Sequence, residues 1–361
     1  MSIELTYTLE FDDDYQYQDP DFDGEFIVQR REVFSQEDEK IELEDMLYMT
    51  QIDLSPLSSC KNLKKFRIHG SYLTTIDITS LSSCTALEVL NLEGNLLQDI
   101  DLAPLSSCTN LKELWLNHNR FKNIDLSPLS SCDNLQKLLL GRNYLLNIDL
   151  SPLRTCTKLN WLALTENQLK NIDLGPLCFC RHLEHLDLSN NRFIEIDLAP
   201  LSDMVDLKHL YLGQNQLQSV DLTPLSTCAA LEFLILRDNH LMDIDLTPLS
   251  SCVSLRYLNL ARNQLPNIDL SPLGPDVEVR LGPSQDVVPI VSRKPSQLTR
   301  SELIERIKHG ETMEDIRARG PVEVKCEGCN TVYHHYPDQF SSLEKCGICG
   351  EMIHLPRLSK E

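Results

Sequence analysis

Four cysteines near the end of the chain have the type and spacing of a metal site. Cys326 and Cys329 form one C-x2-C pair, Cys346 and Cys349 form a second, and 16 residues separate the two pairs. Four thiolates complete a closed tetrahedron, and zinc is the metal most often held this way, with iron as the alternative. The spacing therefore predicts a structural Zn²⁺ site, which leaves no open coordination position for catalysis.

Eight further cysteines recur at 24-residue intervals, and their regularity raises the question of disulfide or metal chemistry. Met204 occupies the one missing position, and methionine fills the same apolar space without forming a disulfide. Parallel side chains that all point inward also fit disulfide geometry poorly, so we interpret the column as packing. Cys178 lies outside the series, and we expect it to be a more exposed thiol and a candidate for reactivity. The cysteine column consists of Cys60, Cys84, Cys108, Cys132, Cys156, Cys180, Cys228 and Cys252.

An acidic segment near the N-terminus resembles half of a calcium loop. Asp19, Asp21 and Asp23, followed by Gly24, match its first half, D-x-D-x-D-G. The twelfth position is Arg30, where the loop needs a bidentate glutamate. We therefore interpret the segment as a solvated acidic hairpin loop and do not predict bound Ca²⁺.

A strict repeat must position most of these residues. Ten aspartates, from Asp53 to Asp269, lie 24 residues apart with no insertion between them. A fixed period of this length indicates stacked supersecondary units. We interpret the repeated aspartate as an acceptor for nearby backbone amides, because structural turns need acceptors, and we favour this over a ladder of metal ligands.

One unit, beginning at Leu111, reads LKELWLNHNRFKNIDLSPLSSCDN. Its L-x-x-L-x-L-x-x-N-x-F start, followed by I-D-L-x-P-L-x-x-C, resembles the leucine-rich repeat, over roughly residues 51 to 282. Within that family it is most similar to the short type found in phosphatase-regulator proteins. The resemblance implies an α/β solenoid with a parallel sheet on its concave face, short helical turns on its convex face, and a role in protein binding.

The residues of this unit have predictable structural roles. Leu114 and Leu116 alternate on a strand, so both should point into the core. Asn119 follows the strand, where its amide can satisfy buried backbone groups. Ser127 is predicted to cap a short helical turn and Pro128 to occupy its first position.

The third and fifth residues of each unit point away from the core and vary along the chain. Both tryptophans of the protein lie there, and contiguous exposed aromatics mark interaction surfaces. Sheet propensity alone also favours aromatics on strands, although polar residues would fit there equally well. We therefore predict that a partner protein binds on the concave face through Trp115, Leu139, Trp161, His185, His209, Tyr211, Phe233, Ile235 and Tyr257.

The two ends of the chain depart from the repeat. Residues 1–50 are predicted to form an acidic cap in which strands 3–11 and 25–34 pair as a β-hairpin, and a last strand is predicted at 276–281. Residues 283–298 are predicted to be a linker. Residues 299–361 are predicted to form two short helices and a small module that resembles a zinc ribbon, with the four late cysteines as its metal ligands.

Charge and composition limit the possible functions. The net charge is −21, and residues 1–50 hold 16 acidic and 3 basic residues, a net charge of −13. This disfavours nucleic-acid and anionic-membrane partners and favours a basic partner near the N-terminal cap. No apolar run reaches membrane-spanning length, and the N-terminal residues lack the pattern of a signal peptide, so we expect a cytoplasmic protein with free or metal-bound thiols.

No nucleophile–base constellation or phosphate loop is evident, so we expect no enzymatic activity. The favoured function is a non-catalytic scaffold or adaptor. Two alternatives are a regulatory subunit of a phosphatase or other enzyme, and a nucleic-acid-linked regulator that acts through the zinc ribbon.

Overall fold

The structure, a computed structural model, describes residues 2–11, 26–44, 48–266 and 268–282, with four short strands at 322–325, 332–335, 344–345 and 352–353. The chain divides into two compact units, residues 1–290 and 291–361. Within the described residues, no helix is long and apolar enough to cross a membrane.

The larger unit contains a parallel sheet of eleven strands in chain order. Its first strand is β3 (Lys40–Glu44), which pairs in parallel with the first strand of the regular repeat. Residues 40–44, which the sequence analysis assigned to the N-terminal cap, therefore contribute a strand to the sheet, and Ile41 and Leu43 of β3 belong to the common core. The remaining strands are β5 (Lys65–His69), β6 (Val89–Asn91), β7 (Glu113–Trp115), β8 (Lys137–Leu139), β9 (Trp161–Ala163), β10 (His185–Asp187), β11 (His209–Tyr211), β12 (Phe233–Ile235), β13 (Tyr257–Asn259) and β14 (Glu278–Arg280).

The 24-residue period keeps equivalent residues of neighbouring strands in register. Leu114 pairs with Leu90 on one side and Leu138 on the other, and all three are fully buried. Leu116 is also buried, as predicted. Burial of one leucine contributes roughly 1.5–3 kcal/mol, so the columns of leucine provide the main driving force for stacking.

The buried asparagine of a unit connects the backbone of its own unit to that of the preceding one. Asn119 donates from Nδ2 to the carbonyl oxygens of Leu92 at 2.9 Å and Leu116 at 3.1 Å. Its Oδ1 accepts a hydrogen bond from the amide of Leu97 at 3.1 Å. The prediction that this side chain satisfies backbone groups is confirmed. Ser71 replaces it in the first unit, and its buried hydroxyl has no hydrogen-bond partner among the described residues.

Short 3₁₀ helices form the side opposite the sheet. In the unit that begins at Leu111 this helix begins at Ser127, one residue after Leu126, which makes no side-chain cap. Asp125 Oδ1 instead accepts a hydrogen bond from the Ser127 amide at 2.9 Å, which confirms the role predicted for the repeated aspartate. The predicted Ser127 cap was wrong, because the carboxylate two residues earlier is the stronger acceptor. The helices are Ser55–Ser59, Thr79–Ser83, Ala103–Ser107, Ser127–Ser131, Ser151–Thr155, Gly175–Phe179, Ala199–Leu201, Thr223–Thr227 and Thr247–Ser251.

The cysteine column packs behind these helices. All eight members are buried free thiols, Met204 is buried in the same column, and Cys178 is exposed. The thiol of Cys132 donates to the carbonyl oxygen of Leu105 in the preceding unit at 3.5 Å. The interpretation of the column as packing is confirmed, with a weak hydrogen bond added to it.

The N-terminal residues add an antiparallel sheet. β1 (Ser2–Phe11) pairs with β2 (Phe26–Ser35), as predicted for the hairpin, and also with β4 (Met49–Asp53). Ile3, Leu5 and Tyr7 on β1 are buried in the same apolar core as the first repeats.

The C-terminal unit contains two described hairpins. β15 (Val322–Lys325) pairs antiparallel with β16 (Val332–His335), and β17 (Glu344–Lys345) with β18 (Met352–Ile353). Cys326, Cys329, Cys346 and Cys349 lie outside the described residues, as do the predicted linker and the two predicted helices.

Candidate functional site

Five ring-bearing residues form a continuous stack on the outer face of the sheet, meaning the face that carries the third and fifth residues of each unit. Along the third row, ring centroids are 4.6 Å apart between Trp161 and His185 and 4.3 Å between His185 and His209. The centroids of His209 and Phe233 are 5.0 Å apart, and those of Phe233 and Tyr257 are 6.0 Å apart. We call these five residues the ring stack.

The ring stack has this geometry because the strands are parallel and in register. Equivalent residues of neighbouring strands then lie one strand spacing apart, roughly 5 Å, which is close to the separation of stacked aromatic rings. Arg280 lies in the fifth row of the next strand, and its guanidinium lies 5.7 Å from the ring centroid of Tyr257.

The ring stack carries little charge at neutral pH. Burial lowers the pKa of His185 below its usual value. Burial, helped by the nearby His185, lowers the pKa of His209 to about 4. The Nδ1 atom of His209 is buried and has no hydrogen-bond partner among the described residues. Both imidazoles are therefore neutral, so they stack without mutual repulsion.

Two of the residues predicted to bind the partner, Trp115 and Leu139, lie on strands that precede those of the ring stack. Trp115 is on β7, where its indole Nε1 donates to Glu113 Oε2 at 3.0 Å. Leu139 is its neighbour in the fifth row, on β8. Glu113 also pairs with Lys137 at 3.1 Å, so this part of the outer face is ion-paired. Among the described residues, no ring contact joins Trp115 to the ring stack.

A depression of about 330 Å³ opens beside the ring stack in the fifth row. It contains Tyr211 and Ile235, which the sequence predicted as partner-binding. It also contains residues that sequence reasoning missed, and Asp187 is the most informative of these because it is the one carboxylate in the fifth row between β5 and β14. The lining residues are Asp187, Ser189, Tyr211, Gly213, Gln214, Ile235, Arg237, Tyr257 and Asn259.

Asp187 is half-buried, and among the described residues only one of its two carboxylate oxygens accepts hydrogen bonds. Its Oδ1 accepts hydrogen bonds from the amide of Ser189 at 3.0 Å and from the Ser189 hydroxyl. Burial raises the pKa of Asp187, partly offset by these two bonds. Tyr211 lies beside it, and burial together with the nearby Asp187 carboxylate raises the pKa of Tyr211 to about 12.

The other predicted sites are not assembled in the part of the chain that is described. Asp19, Asp21 and Asp23 lie outside the described residues, as do the four late cysteines. Within residues 2–11, 26–44, 48–266 and 268–282, no group of three or more histidine, cysteine or acidic side chains is placed to hold a metal ion.

Short in-register strands joined by 3₁₀ turns every 24 residues define a solenoid of stacked repeats. The family profile described as leucine rich repeat matches residues 61–121, 133–193 and 181–241, and a two-copy profile of the same repeat matches residues 229–274. These matches cover more than half of the chain, which belongs to the leucine-rich repeat family. The family's fold typically serves as a non-enzymatic interaction scaffold or receptor.

Solved structures give the same fold. The internalin InlF of Listeria monocytogenes is 26% identical with a TM-score of 0.51, over 80% of this chain and 81% of that chain. The functional domain of InlJ from the same organism, described as including a cysteine ladder, is 21% identical with a TM-score of 0.50, over 68% of this chain and 53% of that one. No curated protein sequence matches the chain.

A third structure contains a bound partner. The ectodomain of the Arabidopsis thaliana receptor kinase GASSHO1/SCHENGEN3, solved in complex with CASPARIAN STRIP INTEGRITY FACTOR 2, is 25% identical with a TM-score of 0.55. The similarity covers 62% of this chain and 27% of the receptor chain, so this chain spans about a quarter of that receptor.

Proposed function

We propose that this protein is a non-catalytic scaffold or adaptor that binds a protein segment on the outer face of its sheet. The ring stack is the observation that carries this proposal. Its members belong to strands whose alternate residues form the leucine core, so they contribute little to that core themselves. By the family resemblance the outer face is the concave one.

Preorganisation explains why such a surface would bind well. Each ring in the stack is held between its neighbours on rigid strands, so little side-chain freedom remains to be lost when a partner binds. Tryptophan and tyrosine dominate the energetics of protein interfaces, because they bury large areas with few rotatable bonds. The plant receptor ectodomain solved with its partner supports a protein or peptide as the class of ligand.

The amino-acid composition supports two further proposals, one on the cellular compartment of this protein and one on the charge of its partner. We place the protein in the cytoplasm, which the nine free thiols among the described residues support. The acidic N-terminal 50 residues favour a partner with basic residues near that end of the repeats.

The proposal is tested by affinity capture from native lysate with a double variant of the ring stack, Trp161→Ala with Phe233→Ala. A matched control removes two exposed apolar side chains from the opposite side of the repeats, Phe179→Ala with Val253→Ala. We expect the ring-stack variant to lose captured proteins that the wild type and the control retain, while all three give the same circular dichroism. Retention of every captured partner by the ring-stack variant contradicts the proposal.

We further propose that the four late cysteines hold one structural Zn²⁺. Supporting this, Cys326 directly follows β15 and Cys346 directly follows β17, so the first thiol of each pair comes immediately after a strand of a described hairpin. Four thiolates suit zinc, and a unit this small gains much of its folding free energy from such an ion.

A further inference from the structure

The charge of Asp187 is not needed for the turn that its side chain makes. Two other units carry asparagine at the same position, and each makes the same bond to the amide two residues later. Asn91 Oδ1 accepts from Glu93 at 2.9 Å, and Asn259 Oδ1 accepts from Ala261 at 3.1 Å. Asp187 accepts the corresponding bond from Ser189 at 3.0 Å. A neutral amide thus performs this structural role in the same protein.

The negative charge also lacks a partner. No lysine, arginine or histidine nitrogen among the described residues lies within 4.0 Å of Asp187, whereas the glutamates just before β10 and β12 are paired. Glu184 contacts Lys208 at 2.6 Å, and Glu232 contacts Arg256 at 3.7 Å. A half-buried carboxylate without a cation costs free energy, because it loses hydration and gains no ion pair in return.

The groups around Asp187 leave room for a cation. His185 and His209 are neutral at physiological pH and do not repel one. Arg237 lies in the same depression, but its guanidinium is held by Asp238 at 2.6 Å and Gln214 at 3.2 Å.

A second arginine, Arg280 on β14, is also paired. Arg280 contacts Glu278 at 3.1 Å and lies over the ring of Tyr257, two strands beyond Tyr211. The two paired arginines, Arg237 and Arg280, therefore lie toward strands β12–β14. The Asp187 carboxylate lies on β10.

We propose that the depression receives the guanidinium of an arginine from the bound protein segment, with Asp187 Oδ2 as its acceptor and Tyr211 beside it. The inference rests on the proposed function and specifies one residue of the partner. Arginine fits better than lysine, because its planar, weakly hydrated group lies flat on aromatic rings and donates to a carboxylate at the same time. The hydrocarbon stem of that arginine would pass over the ring stack.

The test uses an array of blocked nonapeptides of varied sequence, each made with arginine, lysine or the neutral isostere citrulline at its centre. The full-length protein is the probe. We expect a subset of arginine peptides to bind the wild type at least tenfold more tightly than their citrulline counterparts. In Asp187→Asn this ratio should fall close to one. Asp203→Asn removes the same charge at an exposed position and should leave the ratio unchanged.

Three results would overturn the inference. They are an arginine preference that survives in Asp187→Asn, peptides that bind the wild type without preferring arginine, and an array from which the wild type retains nothing. In the second case the proposed function stands if the Trp161→Ala, Phe233→Ala variant loses those peptides, so the two failures are distinguishable. Asp187→Ser, which keeps an acceptor without the charge, replaces the asparagine variant if thermal melting shows that variant to be unfolded.

Discussion

The chemistry of the cysteines depends on where each one lies. Burial raises the pKa of Cys132 to about 12 and that of Cys156 to about 11. At pH 8 the thiolate is the reactive form, and at such pKa values it amounts to roughly one molecule in a thousand or fewer. Cys178 has the same side chain but is exposed, because its position beside the column faces solvent.

We therefore predict that one thiol of the repeat region reacts rapidly with a maleimide at pH 8 in the native protein. Peptide mapping by mass spectrometry should find the label at Cys178, with the column cysteines labelled at least tenfold more slowly. In Cys178→Ser the rapid label in the repeat region should disappear, whereas unfolding in urea should expose all of these thiols. Equal labelling of column cysteines in the native state would contradict the packing described above.

His209 should make the protein less stable in acid. Its pKa is about 4 in the folded state and about 6.5 when exposed, so between these pH values the unfolded chain binds a proton that the folded chain does not. Its contribution is fully present above pH 6.5 and is lost as the pH falls towards 4. The slope cannot exceed about 1.4 kcal/mol per pH unit, and hydration of the partly exposed ring reduces it.

The substitution His209→Phe keeps a ring in the stack and removes this titration. Melting temperatures at pH 7.5 and 4.5 should differ less in the variant than in the wild type. The raised pKa of Asp187 acts in the opposite direction, but both proteins share it, so their difference reports on His209. His240→Phe at an exposed site should retain the wild-type pH response, and an unchanged response in His209→Phe would contradict the expectation.

Each repeat unit is held by its neighbours through backbone groups as well as leucines. The residue just before the repeated asparagine, or before Ser71 in the first unit, has a left-handed backbone, from Gly70 at φ 69° to Arg262 at φ 56°. This conformation costs about 1–2 kcal/mol for a residue with a Cβ atom, and seven of the nine positions carry such a residue. Stacking in register compensates for this cost at the positions from Gly70 to Asp238, because the backbone amide there donates to a carbonyl oxygen of the next unit. The His118 amide, for example, donates to the Gly141 carbonyl oxygen at 3.0 Å.

We predict that Asn143→Ala destabilises the repeats strongly. Its Nδ2 donates to the carbonyl oxygens of Leu116 and Leu140, and its Oδ1 accepts from the amide of Phe121 at 3.2 Å. Each orphaned buried group costs roughly 1–3 kcal/mol, so the loss should be on the order of 3 kcal/mol or more. Urea denaturation followed by circular dichroism measures it. Asn123→Ala, at an exposed position of the preceding unit, should cost less than about 0.5 kcal/mol, and similar midpoints for both variants would refute the role of the buried asparagines.

At the scale of the whole molecule, the two units have different sources of stability. The repeats of residues 1–290 share one continuous core of leucine, isoleucine and cysteine. The described part of residues 291–361 consists of two short hairpins, and strands of two to four residues bury too little apolar surface to be stable by themselves. The Zn²⁺ proposed above would stabilise that unit.

We accordingly predict one zinc ion per chain, measured by elemental mass spectrometry after purification without added metal. Cys326→Ser should lose the ion, and Cys178→Ser should retain it. A chelator should release the zinc from the wild type and expose four additional reactive thiols. Purified protein without zinc, or four late thiols that react equally with and without chelator, would rule out the site.

The repeat, its leucine core, its asparagine and aspartate contacts and the residues of the outer face could all be predicted from the amino-acid sequence. Each of these follows from a fixed period together with the alternation of a strand, both of which are visible in one dimension. The strand β3 escaped detection because Ile41 and Leu43 lie 25 residues before their partners Phe66 and Ile68, one residue off the repeat spacing, and no asparagine follows the strand at that spacing. Ser127 and Asp125 both carry oxygens that could accept a hydrogen bond at the start of the 3₁₀ helix. Only the path of the backbone shows that the Asp125 carboxylate lies at the Ser127 amide.

Which outer-face side chains contact one another could be seen only in the tertiary structure. Register brings Trp161, His185 and His209 into ring contact but leaves Trp115 bonded to Glu113, although all of these residues are equally periodic in the sequence. Within the part of the chain that the structure describes, it also left Asp187 beside an open depression, with one bonded oxygen and no paired cation. Stacking distances, burial and pairing depend on neighbours 24 residues away, so they could be read only after the strands had been placed side by side.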